Sequence, residues 1–329
     1  MVRVLHVICD CNGGGAERIV LELAARSGHH VAPIYAGGEL ESEFQARVPV
    51  EPVGAVRRRR VLRPFARLVA LAREADVVHT HLWAGDQWGR VAARVAGRPA
   101  VSTVHNMEGD GPLRDRIARL TAPLATTLIG ASEAVADRLR REGFARVRAI
   151  PNGIDLARFS PREDVPERAR RVVGVGRLTR QKGFDVLVDA ARGTGLEVML
   201  VGEGEDRAIL TDATLVGWQP DVARYLSEAD IVAIPSRWEG FGLQAVEAMA
   251  SGVPVVASDI PPLREVLGDA AVFVAPGDAA AWRTALVELT ADRARRALLR
   301  ERGLARAPAF AIERMVERYT ELYEEVVRT

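Results

Sequence analysis

The sequence of 329 residues is poor in features that would direct it to a membrane or a metal. No uninterrupted apolar stretch approaches the roughly 20 residues that a membrane-spanning helix needs. The apolar run Val4–Ile8 is too short for the core of a signal peptide, and Asp10 follows it closely. The only cysteines, Cys9 and Cys11, lie two positions apart, which is poor geometry for a mutual disulfide and leaves a zinc ion without further ligands. We therefore expect a cytoplasmic protein with free thiols and no metal site.

The chain also lacks a strong charge of one sign. Its 45 lysine and arginine residues nearly balance 44 aspartate and glutamate residues, for a net charge of +1. Residues 1–165 contain 24 basic and 19 acidic residues (+5), and residues 166–329 contain 21 and 25 (−4), which together give +1. Because neither half has the basic excess of a nucleic-acid binder, we expect no nucleic-acid partner.

The chain is long for one hydrophobic core, and it divides into two halves that begin alike. A buried strand, a glycine turn and a helix open the first half at Val2–Ile8 and the second half at Arg171–Val175. Further short apolar runs are expected as strands at 31–35, 77–81, 100–105 and 127–131, and at 197–201, 214–216, 231–235, 253–257 and 272–274. This alternation predicts the α/β class with a doubly wound parallel sheet in each half.

The most informative stretch runs from Ala229 to Ala257. A short apolar strand is followed by a loop with Glu239 and two glycines, and then by an amphipathic helix that begins near Leu243. Such a unit directs unpaired backbone N–H groups and the positive end of the helix dipole beyond the strand, which favours a diphosphate. Glu239 and Glu247 suit hydrogen bonds from vicinal sugar hydroxyls rather than a phosphate. The pattern therefore indicates a sugar-nucleotide site, and a βαβ turn with solvated glutamates is the alternative.

The string Glu239–Leu243, with Glu247, Gly252 and Pro254, resembles the E-x7-E signature of the retaining GT-B glycosyltransferases of family 4 (glycosyl transferases group 1). The resemblance covers nearly the whole chain and is strongest over 171–277. It implies the GT-B architecture: two facing Rossmann-like domains with an interdomain cleft. The acceptor-side domain would span 1–160 and the donor domain 161–307, and a last helix, 308–329, would cross back to the first domain.

The resemblance also implies an activity. The family's members transfer a hexosyl unit from a nucleoside-diphosphate sugar to an acceptor hydroxyl, with retention and without a metal. A UDP-sugar is favoured here over GDP-mannose, and no cofactor beyond this co-substrate is expected. A carbohydrate or lipid-linked acceptor would place the reaction in cell-envelope, lipopolysaccharide, exopolysaccharide or glycolipid synthesis. A sugar-nucleotide epimerase of the same fold and a non-catalytic sugar-nucleotide or membrane-docking protein are the rival interpretations.

The resemblance assigns roles to the signature residues. Glu239 would hold hydroxyls of the transferred sugar, and Glu247 would hold the nucleotide ribose. The backbone amides of Phe241, Gly242 and Leu243 would cap the diphosphate.

Lysine is almost absent from the sequence: Lys182 is the only lysine, against 44 arginines. It stands in the string GRLTRQKG together with Gly176 and Arg177. A solvated loop is the ordinary interpretation, but a lone lysine in this position favours a need for a compact ammonium group. The string matches the family's GR-x4-KG element, in which Arg177 and Lys182 would neutralise the departing diphosphate in place of a metal.

Other candidate residues follow strands of the first half. Gly14 and Gly15 match the family's GG-x-E element with Glu17, and they would contact the donor. His105, at the end of an apolar strand, would contact the transferred sugar near the reaction centre; a structural histidine is the alternative. His79 and His81 share one face of a strand and are interpreted as structural or cleft-lining.

Two further segments leave their role open. Val216, Gly217 and Trp218 follow a short strand and are expected to flank the nucleotide base. The segment 152–155, Asn-Gly-Ile-Asp, resembles a family element, but Asn-Gly is equally suited to a plain turn.

Arginine clusters raise the question of a membrane partner. Arg57–Arg60 is a run of four arginines, followed by Arg63 and Arg67. A second basic amphipathic stretch interleaves Leu113, Ile117 and Leu120 with arginines. Solvated faces are the commoner explanation, but we favour contact with an anionic membrane surface. The protein would then be peripheral at the inner face of the cell membrane.

Overall fold

The computed structural model describes residues 2–55, 62–107, 111–161 and 164–328. They form two compact units. Unit 1 comprises Met1–Gly153 and Ile312–Thr329, and unit 2 comprises Ile154–Ala311. Across the described ranges, no helix is both long and apolar enough to cross a membrane.

Within its described residues, unit 1 contains one sheet of six parallel strands in the order β2-β1-β3-β4-β5-β6. The strands are β1 Val4–Ile8, β2 His30–Pro33, β3 Val77–His81, β4 Ala100–Val104, β5 Thr127–Gly130 and β6 Val147–Ala149. The helices are α1 Gly15–Ser27, α2 Glu41–Arg47, α3 Leu62–Glu74, α4 Leu82–Ala96, α5 Pro112–Thr121 and α6 Glu133–Arg141, with the last helix of the chain, α13 Ile312–Arg328. The strand order reverses between β1 and β3, as in doubly wound sheets.

The described part of unit 2 likewise contains one six-stranded parallel sheet, in the order β12-β11-β10-β7-β8-β9. The strands are β7 Arg171–Val175, β8 Glu197–Val201, β9 Thr214–Gly217, β10 Ile231–Ile234, β11 Val255–Ser258 and β12 Ala271–Val274. The helices are α7 Phe184–Ala191, α8 Ala223–Ser227, α9 Leu243–Ala250, α10 Pro261–Leu267, α11 Ala279–Ala291 and α12 Arg293–Arg306. This is the strand order of the Rossmann fold, with the switch point between β7 and β10.

The predicted fold class is confirmed, and each predicted strand is present within two residues at either end. The sequence interpretation missed β6, because this strand has only three residues and lies at the edge of its sheet without fully buried side chains. Short edge strands carry little of the continuous apolar signal that marks buried parallel strands.

The division between the units falls at 153/154 and 311/312, rather than at the predicted 160/161 and 307/308. Residues after Gly153 belong to unit 2 because their apolar side chains enter its core. Ile154 is 7% exposed and pairs with Ala311 in an isolated bridge, and Phe159 is 7% exposed in the same core. The proline and charge content of 151–171 did not reveal these buried positions.

Helix α13 belongs to unit 1. Its buried side chains include Ile312, Met315, Tyr319 and Tyr323, and it contacts α1 and β3. A hydrogen bond joins the hydroxyl of Tyr319 to that of Thr103, 2.9 Å away in β4. The apolar stripe of the helix thus packs on α1 and on the central strands β3 and β4 of the first sheet.

Candidate functional site

In unit 2, the ends of β7 and β10 flank the switch point at which doubly wound sheets bind ligands. The chain after β7 forms a 3-10 helix, Arg180–Lys182. The chain after β10 forms a loop, 235–242, that leads into α9. The fold therefore brings the two predicted motifs, 57 positions apart, to one place.

Lys182 and Glu239 form a buried ion pair at this place, with 2.5 Å between Nζ and Oε1. The same oxygen accepts hydrogen bonds from the hydroxyl of Ser236 at 2.7 Å and from the side-chain amide of Gln244 at 2.8 Å. The two charged side chains are 13% and 7% exposed, so little water screens them. Three donors fix Oε1.

A second ion pair, together with hydrogen bonds to the 3-10 helix, attaches the loop 235–242 to the start of α7 and to the 3-10 helix before it. Arg237 donates hydrogen bonds of 2.8 and 2.7 Å to the two carboxylate oxygens of Asp185, and one of 2.8 Å to the carbonyl of Arg180. The side-chain amide of Gln181 donates to the carbonyl of Trp238 at 3.1 Å. The hydrogen-bonded guanidinium lowers the pKa of Asp185, so the pair stays charged at neutral pH. The position of Lys182 relative to Glu239 is thus fixed by contacts outside the pair itself.

Gly183 shows why the lysine is followed by glycine. Its φ is +65°, a left-handed conformation that favours glycine, and a Cβ atom there would lie 2.2 Å from the carbonyl oxygen of Pro235. The backbone after β7 therefore touches the backbone after β10 directly. Without this approach, Lys182 would stand farther from Ser236 and Glu239.

We expect Gly183→Ala to destabilise the protein by clearly more than about 1–2 kcal/mol, the usual cost of a left-handed backbone for alanine. The added methyl group also collides with Pro235. Gly195→Ala is the matched control, because Gly195 has a φ of +78° and no atom within 4 Å of an added Cβ. Urea unfolding of both variants measures the difference, and equal losses would contradict the close approach at Gly183.

Helix α9 presents its amino terminus at the same edge. Gly242 precedes it with a φ of +92°, and Phe241 and Gly242 are buried while Leu243 is half-buried. The ring of Phe241 packs edge to face on Phe310 in the core, which anchors the loop. The first N–H groups of a helix lack acceptors within it, so they can bind an anion. Glu247 is half-buried in the second turn of α9.

The ends of β8 and β9 continue this edge. A Cβ atom on Gly202 would lie 1.9 Å from the carbonyl oxygen of Gly176, so the glycine after β7 needs a glycine beside it. The N–H of Gly202 donates to the carbonyl of Gly217 at 2.9 Å. Val216 and Trp218, on either side of Gly217, are half-buried. Arg177 is exposed, and its guanidinium lies 3.4 Å from the side-chain oxygen of Gln181.

Sequence reasoning missed Ser236, Gln244 and the Arg237–Asp185 pair. Ser236 and Gln244 lie three positions before and five after Glu239. Their proximity to Glu239 in the sequence was a signal, but only the turn of the loop aims all three side chains at one point.

In unit 1, the predicted glycines lie between β1 and α1. Gly15 is the first residue of α1, and Gly14 caps it. A Cβ atom on Gly14 would lie 2.3 Å from Oε2 of Glu17, so the carboxylate folds back over the glycine. Glu17 is 8% exposed.

Both free cysteines lie in the same segment between β1 and α1. Burial raises the pKa of Cys9 to about 11 and that of Cys11 to about 12.

His105 lies one residue beyond β4, and it belongs to a cluster of five histidines that the sequence interpretation did not recognise. Contacts of 3.1 to 3.2 Å join the rings in the order His29, His6, His81 and His105. His79 lies beside them, with its two nitrogens 2.7 Å from the hydroxyls of Tyr323 and Thr103. Buried histidines on neighbouring strands gave no signal of mutual contact, because the register of β1 against β3 decides it.

The ligand-forming nitrogens of His6, His79 and His81 lie within 4.8 Å of one another, which is near enough to hold a metal ion. Each of these rings, however, already has an imidazole or a hydroxyl group at both nitrogens. Desolvation lowers the pKa of all five histidines, to about 4 for His29 and His105 and well below the usual value for the others. The cluster is therefore neutral at pH 7.

The second arginine-rich stretch forms α5. Leu113 and Leu120 are 73% and 72% exposed on this helix. Arg114 stacks on Trp83 at 5.0 Å, and Arg119 pairs with Glu142 at 3.7 Å. The run Arg57–Arg60 lies outside the described residues.

Two neighbouring regions, which together make up most of the chain, match known glycosyltransferase domains. Residues 169–292 match the family described as Glycosyl transferases group 1, and residues 13–158 match Glycosyltransferase Family 4. The D-inositol 3-phosphate glycosyltransferase of Xylanimonas cellulosilytica is 31% identical over 77% of this chain and 72% of its own length. The lipopolysaccharide core mannosyltransferase LpsB of Rhizobium meliloti is 34% identical over 54% of this chain and 61% of its own.

The fold agrees with these matches. The crystal structure of the Anabaena protein HepE in complex with UDP-glucose superposes with a TM-score of 0.89 at 21% identity, over 99% of this chain and 100% of that one. The two doubly wound six-stranded sheets are thus those of the GT-B fold. The chain belongs to the family 4 glycosyltransferases (glycosyl transferases group 1).

Proposed function

We propose that the protein transfers a hexosyl unit from a UDP-sugar to an acceptor hydroxyl, with retention and without a metal. The observation that carries this proposal is the triple hydrogen bonding of Oε1 of Glu239 by Lys182, Ser236 and Gln244. These three donors hold the carboxylate in one orientation, and its other oxygen, Oε2, would accept a sugar hydroxyl.

Charge on the departing diphosphate must be neutralised if no metal is present. Lys182 and the exposed Arg177 supply two cations after β7, and the amides at the start of α9 supply hydrogen-bond donors. Such fixed charges and dipoles stabilise a leaving diphosphate in the transition state. We propose Gly176, Val216, Gly217 and Trp218 as the surface beside the nucleotide, and Glu247 as the acceptor for its ribose hydroxyls. In unit 1, we propose that Gly14, Gly15 and His105 contact the donor.

The choice of substrates rests on the relatives. HepE was crystallised with UDP-glucose, which favours a UDP-sugar, whereas LpsB is a mannosyltransferase. The inositol phosphate named for the Xylanimonas enzyme and the core lipopolysaccharide named for LpsB make both a soluble and a lipid-linked acceptor reasonable. We propose a role in cell-envelope or glycolipid synthesis on the cytoplasmic side of the membrane.

The test is an assay with UDP-glucose, UDP-N-acetylglucosamine and GDP-mannose, each with and without D-inositol 3-phosphate or a lipopolysaccharide core acceptor. We expect free UDP only when donor and acceptor are both present, an axial anomeric bond in the product by NMR, and full activity in EDTA. Loss of activity in EDTA, restored by magnesium or manganese, would contradict metal independence. UDP release without any acceptor product would favour a hydrolase, and conversion of the UDP-sugar into its epimer without net UDP release would favour an epimerase.

We expect Glu239→Gln and Glu247→Gln to impair different kinetic constants. Glu239 faces the transferred sugar, where charge develops, so its loss should fall mainly on turnover. Glu247 faces the ribose, which does not react, so its loss should raise the donor KM with turnover nearly unchanged. Steady-state kinetics with the active donor, and calorimetric binding of free UDP, separate the two effects.

Glutamine keeps the shape of each side chain and one acceptor oxygen, so structural damage is limited. Tight UDP binding by Glu247→Gln, together with lost UDP binding by Glu239→Gln, would reverse these assignments.

We also propose that α5 rests on an anionic membrane surface. Its two exposed leucines lie among three arginines, which suits an interfacial helix. We expect the protein to sediment with vesicles of phosphatidylglycerol and less with phosphatidylcholine, and Leu113→Ser with Leu120→Ser to weaken this binding. Equal sedimentation of variant and wild type would contradict a role for α5.

A further inference from the structure

The histidine cluster of unit 1 contains an unbranched series of four imidazoles. Nδ1 of His29 lies 3.1 Å from Nε2 of His6, and Nδ1 of His6 lies 3.1 Å from Nε2 of His81. Nδ1 of His81 lies 3.2 Å from Nε2 of His105. The series therefore joins the residue before β2, at one end of the sheet, to the residue after β4, at the other end. We refer to it as the histidine chain.

The repeated contact of Nδ1 with Nε2 restricts the tautomers. A neutral imidazole has one N–H group and one lone pair, and each contact needs one of each. If His81 carries its proton on Nε2, then His6 and His29 must also carry theirs on Nε2, and His105 must donate from Nε2. The opposite choice places every proton on Nδ1. Only these two arrangements satisfy all three contacts, so the four tautomers change together.

The His105 end of the histidine chain distinguishes the two arrangements. Nδ1 of His105 is buried and has no hydrogen-bond partner among the described residues. With every proton on Nδ1, this atom would be a buried N–H group without an acceptor, which is the rarer and more costly defect. With every proton on Nε2, this atom carries a lone pair and can accept a hydrogen bond. The arrangement with every proton on Nε2 is therefore favoured in the unliganded protein.

We propose that His29, His6 and His81 are positioning residues that hold His105 as its Nε2–H tautomer, so that Nδ1 accepts a hydrogen bond from a ligand hydroxyl. This rests on the proposed function only in naming a sugar hydroxyl as the donor. The position of His105 beyond the carboxyl end of β4 is where ligands of such sheets bind. A histidine that offers a lone pair selects a hydroxyl and rejects a carboxylate or phosphate oxygen.

The groups around the chain support a neutral state. Tyr319 and Tyr323 from α13 and Thr103 from β4 face the cluster, and none of them is charged at neutral pH because burial raises the pKa of both tyrosines. His79 contacts two of these hydroxyls, so it stands beside the chain without entering it.

The test is long-range nitrogen–proton NMR of the full chain labelled with 15N-histidine. We expect the four chain histidines to appear as neutral Nε2–H tautomers at pH 7, assigned through His→Gln variants. His81→Phe removes both contacts of His81, and His105 should then show both tautomers. His81→Asn keeps a polar group near the position of Nδ1, so it should restore the single Nε2–H tautomer of His105.

Three results would overturn the proposal: an Nδ1–H tautomer of His105 in the wild type, a single unchanged tautomer in His81→Phe, or zinc bound to the cluster by elemental analysis. Sugar transfer gives a second readout, in which His81→Phe should lose about two- to tenfold in turnover, the loss of one net hydrogen bond, and His81→Asn should recover it. A wild type without any transfer would contradict the proposed function, while the NMR result would still decide the tautomer.

Discussion

Replacing Lys182 with alanine is expected to reduce turnover by about two to three orders of magnitude, the typical loss when one charge-stabilising donor is removed from an active site. The structure adds a second reason for a large effect. The ammonium group is one of three donors to Oε1 of Glu239, at 2.5 Å, so its removal also frees this carboxylate to move. Initial rates of UDP release at saturating donor and acceptor measure the effect.

Arg180→Ala is the matched control, because Arg180 lies in the same 3-10 helix and its side chain is exposed. The carbonyl of Arg180, which accepts from Arg237, is unaffected by this change. We expect the control to keep nearly full activity and both variants to remain folded by circular dichroism. A Lys182→Ala enzyme within threefold of the wild type would contradict the assigned role of Lys182.

Lowering the pH from 7 to 5 is expected to destabilise unit 1 severely. Burial lowers the pKa of His29 and of His105 to about 4, against 6.5 for the unfolded chain. Between these two values the unfolded chain binds protons that the folded chain excludes, so stability falls as the pH falls below 6.5. Each of these two histidines contributes a loss of about 2 kcal/mol by pH 5.

His6, His79 and His81 act in the same direction, because desolvation and mutual repulsion also lower their pKa values. The total free energy of unfolding of a domain is only about 5–15 kcal/mol, so the combined loss is a large part of it. Urea unfolding at a series of pH values between 5 and 8 measures the slope. Above pH 7 the contribution should be constant.

His29→Gln removes one titrating group while keeping a side chain that can hydrogen-bond to His6, so it should lower the pH at which unit 1 unfolds. His30→Gln is the control, since His30 is adjacent and exposed. A free energy of unfolding that stays level from pH 7 to pH 5 would show that the folded chain accommodates charged histidines, contrary to this account.

The fold class and most of the candidate residues are predictable from local sequence patterns. Continuous apolar runs such as Val172–Val175 and Val198–Val201 identify buried parallel strands because both faces of such a strand are covered. Glycines and charged residues just after these runs lie at strand ends by topology alone. For this reason the sequence predicts Glu239, Lys182 and Gly242 as candidate residues at the strand ends.

Contacts between side chains that are distant in the sequence depend on how the whole unit packs. The triple contact at Glu239 needs the strand order that places β7 beside β10, and it needs the backbone approach at Gly183. Likewise, the histidine chain joins residues of β1 and β3 to the residue after β4 and the residue before β2, and these contacts depend on strand register. Local patterns determine periodicity and turns, whereas register and strand order arise from packing over the whole unit. For this reason the six histidines of the sequence carry no sign of mutual contact, although five of them share one hydrogen-bonded cluster in the structure.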